Sequence, residues 1–494
     1  MKILSKKYIA VLGLAAGLLG ASSCKKILEL EPHNTTFTGA YFTNGQDANT
    51  AISGAYSLLR SALFDNYSYH VFGDAPSNEF SINGSLDNAN YNISRGEFTG
   101  LNVGPGIWNW KNYFKLLQQI NLVINKVPGI PIEKFTNQDD KARIIGEAHF
   151  LRAYTYFYMS RVWGDIPLKL APDLDVSQAV NVPRSPAAAV LKQCLADVKI
   201  AEDNLTFGYN DENERAVRAN KGSAFALEAH IKAWQHDYAG SEVAANTVIT
   251  QGGYALADSS EYAKVFIGKS LEGIFEINVS YGQGEGISLN GGGYAPTLAA
   301  PFIDKRTQVN WPTNKEYINK IFKDSTDFRY RKFLFQAQST VGQTIKFSNI
   351  TYADGSAKND PRLSNNLIIF RLADIMLLRA EALNQLGRDN EAVILLNRVR
   401  QRAHVPSING VTGDALTSVI LQERLRELYY EGQSYYDLVR TLHQGSTTAH
   451  YFGDYNSVFS DDRINTGGAL WPIDPNMFKD DFVITQTPYW QGKL

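Results

Sequence analysis

The stretch Leu367-Ile-Ile-Phe-Arg-Leu-Ala-Asp-Ile-Met-Leu-Leu-Arg-Ala-Glu-Ala-Leu-Asn-Gln-Leu-Gly387-Arg-Asp-Asn-Glu-Ala392 decides the architecture. Helical apolar patterning covers 367–386, stops at Gly387, and resumes over 390–402, with Ala392 five residues past the glycine. An Ala-rich helix over 221–238 is followed in the same way by Gly240, by Ala245 five residues later, and by a second helix over 241–251. Glycine lets the chain turn sharply between antiparallel helices, and alanine lets the second helix lie close against the first. Two copies of one helix-pair unit predict a scaffold of stacked pairs.

Outward from that stretch the same period dominates. Helices are predicted at 48–64, 110–126, 139–163, 185–205 and 415–442, so the fold class is mainly α, and the Gly-to-Ala spacing matches the turn of a tetratricopeptide repeat. Two regions break the pattern. Residues 64–110 run into Asn, Ser, Gly and Tyr, and 256–299 hold a predicted strand at 274–280 leading into a Gly-rich loop. Loops longer than about 15 residues inside a folded body are usually binding elements.

Composition narrows the function. The 494 residues carry 48 basic and 50 acidic side chains, so no basic excess is available to hold a nucleic acid. Aromatics make up 12%, with 26 Tyr, 25 Phe and 7 Trp, more than a core of this size usually needs. Of two cysteines, Cys194 shares a helical stripe with Leu191, Leu195 and Val198 and reads as a small buried hydrophobe. Cys24 is different. Lys2, Lys6 and Lys7 precede an uncharged run at 9–19, and Gly20-Ala21-Ser22-Ser23 leads directly into Cys24. A run of about 11 apolar residues is too short for a bilayer span, which needs about 20, and fits a cleaved secretory signal. Cysteine after small residues is what lipoprotein processing acylates, and several chains make a permanent anchor. The expected organisation is a signal peptide at 1–23, a lipid-anchored tether at 24–36 and one globular body at 37–494, with halves of about 37–220 and 221–494.

Several segments, in order, resemble the SusD/RagB family of outer-membrane nutrient-binding lipoproteins. They are Trp110-Lys-Asn-Tyr-Phe-Lys-Leu-Leu-Gln-Gln-Ile-Asn121, Gly146-Glu-Ala-His-Phe-Leu-Arg-Ala-Tyr-Thr-Tyr-Phe157 running on to Trp163-Gly-Asp-Ile-Pro-Leu168, and Lys221-Gly-Ser-Ala-Phe-Ala-Leu-Glu-Ala-His230. In the C-terminal half they are Arg371–Asn384, Leu396-Asn-Arg-Val-Arg-Gln-Arg-Ala403, Glu423-Arg-Leu-Arg-Glu-Leu-Tyr-Tyr-Glu-Gly432, Tyr436-Asp-Leu-Val-Arg440 and Leu470-Trp-Pro-Ile-Asp474. The resemblance covers nearly the whole chain after the signal. It implies a SusD-like fold of tetratricopeptide-like helix pairs with a loop-rich, partly β ligand-binding region. It also implies an oligosaccharide ligand and a surface-exposed position on the outer membrane through the lipid anchor. The implied partner is a TonB-dependent, SusC-like β-barrel that imports what the lipoprotein captures, with no enzymatic activity and no cofactor. Capture of a peptide or glycopeptide by the same architecture is the alternative, and a lipid-anchored glycoside hydrolase stands further off.

Signature charges such as Glu147, Arg152, Arg371, Asp374, Glu381, Glu423, Arg426 and Asp437 sit on amphipathic helices and are expected to pair between helices, outside the binding site. A sugar site needs rings for its C–H faces and Asn, Asp, Arg or Gln for its hydroxyls. The loops offer Tyr67, Tyr69, Asp74, Asn78, Tyr91 and Trp108, and later Tyr281, Tyr294 and Trp311; the expected ligand contacts are Trp108, Trp311, Tyr294, Tyr281, Tyr91, Asn78 and Asp74. Gly282-Gln-Gly-Glu-Gly286 lacks the helix that a phosphate-cradling loop requires. The eight histidines are scattered without metal-ligand spacing, and neither a metal site nor a catalytic residue is expected.

Overall fold

A computed structural model describes residues 41–64, 67–81, 93, 98, 108–289, 296–323, 326–442 and 459–494. The signal segment, the tether and Cys24 lie outside the described residues, as do Tyr91 and Tyr294. Residues 44–494 form one compact unit.

Helices α1 (Gly45–Phe64), α2 (Lys111–Lys126), α3 (Asp139–Trp163), α4 (Ala187–Asn204), α5 (Lys221–Trp234) and α6 (Tyr238–Gln251) follow one another, each packed on the next, and α1 also meets α3. The strand β1 (Gly273–Ile277) opens the irregular region, which also holds a small antiparallel sheet of β2 (Ile287–Ser288), β3 (Ile350–Tyr352) and β4 (Pro361–Leu363), with β4 in the middle. Strand β5 (Leu367–Arg371) returns antiparallel to β1, pairing Glu276 with Ile368 and Ile277 with Leu367. The chain then enters α7 (Leu372–Gln385), α8 (Asp389–Arg402), α9 (Gly413–Glu427) and α10 (Ser434–Thr441). Helix α7 packs on α6, α8 and α9, so the stack of pairs is continuous. The mainly α architecture is the one expected from the helical period.

Helix α3 is the centre of this stack. From Gly146 to Trp163 every residue is buried, because α1, α2, α4 and α5 all pack on it. Gly146 is needed there: a Cβ would lie 2.7 Å from the Leu205 side chain. The α5 start is fixed by a reciprocal cap in which Asn220 Oδ1 accepts from Ser223 N at 2.9 Å and Ser223 Oγ accepts from Asn220 N at 2.8 Å. Cys194 is fully buried in α4.

Three boundaries differ from those predicted. The stretch 367–386 is not one helix: residues 367–371 pair as β5, since a continuous apolar run buried on both faces suits a strand equally well. The stretch 415–442 breaks after Glu427, where Tyr430 (φ 58°) and Gly432 (φ 71°) take left-handed backbone. The repeat itself is shifted. Gly387 (φ 72°) does form the α7–α8 turn, but Gly240 lies in the first turn of α6, and His236 (φ 61°) holds the turn position instead. Five residues past His236 comes Ser241, fully buried and donating to the Ala229 carbonyl at 2.9 Å, the counterpart of buried Ala392. The spacing of five is real, carried by a left-handed residue and a small one rather than by Gly and Ala as such.

Candidate functional site

The signature charges are structural. Arg371, fully buried at the junction of β5 and α7, places Nη1 2.7 Å from both Glu272 and Glu427 and Nε 2.7 Å from Glu431. Arg402 adds a 2.7 Å contact to Glu272 and a second to Glu427; Arg329 reaches Glu427 at 2.9 Å and Glu423 at 2.7 Å. Against the opposing effect of burial, Arg402, Arg371 and Arg329 hold the Glu427 carboxyl well below the usual range, and Arg329, Arg426 and Arg400 bring Glu423 down to about 2. A second network joins His230, Asp374, Arg424, Asp437, Arg440 and Glu381, with Asp374 2.8 Å from His230 and 3.0 Å from Arg424. A third pairs Arg152 and His149 with Asp197, each at 2.7 Å. Among the described residues no group of three or more His, Cys, Asp or Glu is arranged to hold a metal ion, and no helix is long and apolar enough to cross a membrane.

The break between α9 and α10 explains Asp74. Its carboxylate accepts from Gly432 N at 2.8 and 2.9 Å and lies 2.6 Å from His70 Nδ1, fully buried. Burial pushes its pKa well up. Asp74 therefore ties the segment after α1 to the α9–α10 break and does not face a ligand, a correction to its expected role. Tyr69, also buried, donates to the carbonyls of Ile368 and Glu431 at 3.2 and 3.1 Å.

The loop residues do converge. Segments 67–81 and 296–314 are stitched together by a Phe80–Thr313 bridge, by Ser81 N donating to Pro312 O at 2.8 Å and by Asn314 N donating to Glu79 O at 3.0 Å. Asn314 Nδ2 also donates to the Asn78 carbonyl and to Asn78 Oδ1, each at 3.0 Å. Trp311 sits beneath this seam at only 4% exposure, its ring 5.3 Å from Phe80 and 5.6 Å from Tyr67. The ring left half-buried at the surface is Tyr67, packed on Trp311. Trp311 is thus the floor of the site and not its open face, which corrects the expectation.

Tyr67 (φ 59°) and Asn78 (φ 62°) both adopt the left-handed backbone that non-glycine residues rarely take, a strain that collects where side chains are held for a purpose. Asn78 is exposed, and half-buried Arg306, Asn310 and Asn314 stand around the same seam. Arg306 is close enough to oppose the rise that burial gives the Tyr67 hydroxyl pKa. The result is a fixed aromatic face rimmed by amide and guanidinium donors. Trp108 is also corrected: it is 8% exposed, with no partner for its indole N–H among the described residues. Trp110 packs on Trp163 at 5.7 Å and is structural. Tyr281 is 38% exposed, its N–H donating to Ser364 Oγ at 3.2 Å, in a short 3-10 turn followed by β2 rather than by a phosphate-binding helix. Sequence reasoning ranked Trp311 above Tyr67; the left-handed backbone that fixes Tyr67 leaves no mark in composition or period.

Comparison with known proteins agrees with this architecture. A family profile described as "SusD family" matches residues 274–490, and one described as "Starch-binding associating with outer membrane" matches 56–232. SusD-like protein P38 of Formosa agariphila is 27% identical over 94% of this chain and 96% of its own length. A SusD homolog structure from Bacteroides thetaiotaomicron is 26% identical, with TM-score 0.79 over 91% of this chain and 99% of the other. A structure described as a laminarin binding SusD-like protein shares the fold at 21% identity, with TM-score 0.72 over 90% of this chain and 99% of that one. With two profiles of one family spanning both halves, and relatives aligned end to end, the chain belongs to the SusD/RagB family.

Proposed function

We propose that this protein captures an oligosaccharide at the cell surface on the Tyr67 platform and delivers it to a TonB-dependent, SusC-like β-barrel, without chemical change to the ligand. The observation that carries the reading is the half-buried Tyr67 ring, locked in left-handed backbone and seated on Trp311, beside exposed Asn78 and half-buried Arg306. A ring held rigid loses little freedom when a sugar C–H face stacks on it, and stacking adds on the order of 1 kcal/mol beyond the area covered. Amide and guanidinium groups at the rim supply the fixed hydrogen bonds that orient hydroxyls. Tyr281, Tyr91 and Tyr294 are further contacts in this reading, on the Gly-rich loop and the segment before α2. The laminarin-binding relative and the outer-membrane association in one profile's description support it. Acylation at Cys24 places the body outside the cell.

Electrophoresis through native gels cast with different polysaccharides tests the reading. Retardation in at least one glycan, with no reducing ends released, is the expected result. Unimpeded migration in every glycan, or release of sugar, overturns it.

A further inference from the structure

A separate cleft of about 370 Å³ lies between α1, the turn at 213–218 and the loop that follows β1. Ser53, Tyr56, Ser57 and Arg60 line one wall at the i, i+3, i+4, i+7 spacing of a single helix face. Most of its charges are already matched. Arg60 lies 2.6 Å from Glu285, and Arg218 Nε lies 2.9 Å from the buried Glu147. Two charges are not. Among the described residues neither the Lys269 ammonium nor the Glu214 carboxylate has an ion-pair partner within 4.0 Å, although both line this one cleft; the Lys269 charge acts on the buried Glu276 carboxyl only from further off. Both are half-buried, and Lys269 is held in left-handed backbone at φ 59° with its N–H donating to Glu276 at 2.8 Å.

A third group points the same way. Asn278 spends its amide N–H on Gln283 and Glu285, while its Oδ1 is buried with no hydrogen-bond partner among the described residues. An acceptor shut off from water and left unpaired is costly unless a donor arrives. The cleft offers no stacking platform, since the Arg218 guanidinium lies 5.0 Å over the Tyr56 ring and the Phe275 ring lies 6.4 Å from it.

We propose that this cleft is a second binding site, for a small zwitterion of the amino-acid or dipeptide class: its carboxylate on Lys269, its ammonium on Glu214, and an N–H donated to Asn278 Oδ1. Two opposite charges without close ion-pair partners, in a cleft without an open ring, suit a zwitterion better than a neutral sugar. The site stands apart from the Tyr67 platform and does not rest on the glycan reading.

Titration calorimetry of the full chain in detergent, with a panel of free amino acids and dipeptides and with maltose as the neutral control, tests it. The expected result is saturable binding of at least one zwitterion, weakened tenfold or more by Lys269→Ala and by Glu214→Ala, and by N-acetylation plus C-amidation of the ligand. Tyr67→Ala should leave that binding unchanged. No zwitterion binding, equal binding of the blocked ligand, or stronger binding of maltose to the same cleft overturns the proposal. Circular dichroism melts of both variants should match the wild type, so that loss of binding cannot be loss of fold.

Discussion

Tyr67 and Trp311 touch, yet their substitution should have opposite consequences. Tyr67→Ala removes a half-buried ring from a surface seam, so glycan affinity should fall about tenfold with little change in melting temperature, the loss of a stacked face and its covered area. Trp311→Ala empties a space at 4% exposure between Phe80 and Tyr67, and by the usual cost of large-to-small core changes it should destabilise the protein by about 3–5 kcal/mol, read by urea unfolding. Trp311 could be recognised in the sequence as an aromatic in irregular chain, but not as a buried one, because its neighbours Tyr67 and Phe80 lie more than 200 residues away. Asp74 was misread for the same reason: its partner, Gly432 N, comes from the far end of the chain.

Buried carboxylates also set how stability depends on pH. Glu427 and Glu423 are held below their ordinary pKa by Arg402, Arg371, Arg329, Arg426 and Arg400. Their contribution is complete above the unfolded value of about 4.3 and is lost as pH falls toward 2, so thermal melts should drop steeply below pH 4. Glu276 runs the other way. Burial raises it to about 7, so its native state is favoured below the unfolded pKa and loses that advantage as pH rises through 7. Glu276→Gln should therefore raise the melting temperature at pH 8 and change it little at pH 4; an equal shift at both would refute the assignment.

At the scale of elements, the break between α9 and α10 is the junction that holds the two parts of the chain in register. A Cβ on Gly432 would lie 2.2 Å from the Tyr69 ring, and one on Gly73 would lie 2.2 Å from the Gly432 carbonyl. Gly432→Ala therefore meets both a backbone at φ 71° and a filled space and should prevent folding at 37 °C, whereas Gly387→Ala, at φ 72° in an open turn, should cost about 1 kcal/mol. The helical period located the helix pairs because each needs one apolar stripe, and local spacing reports that directly. It could not separate β5 from α7, since a run buried on every side has no period to read. Nor could it see the break after Glu427, where a left-handed Tyr430 interrupts a sequence that is helical in character throughout.

The charge networks operate at the scale of the whole molecule. Arg371 is paired with three acids from two separate segments, Glu272 before β1 and Glu427 with Glu431 at and just after the end of α9, so it ties β5, α9 and the approach to β1 into one frame. Removing it leaves three buried carboxylates short of a counter-charge, and Arg371→Ala should cost roughly 3–5 kcal/mol. That frame is where the family signature lies, which is why the fold could be recognised from the sequence while the binding surface could not. The signature residues face one another; the residues proposed to meet ligand stand on loops whose chemistry is set by three-dimensional convergence. On the proposed function, Cys24→Ala should move the protein from the outer-membrane fraction to the soluble one.

The most direct measurement is calorimetric titration of a retarding glycan into the wild type and into Tyr67→Ala, with melting curves of both. The account predicts saturable binding to the wild type and about tenfold weaker binding to a variant that melts at the same temperature. Equal affinity in the two proteins would contradict it.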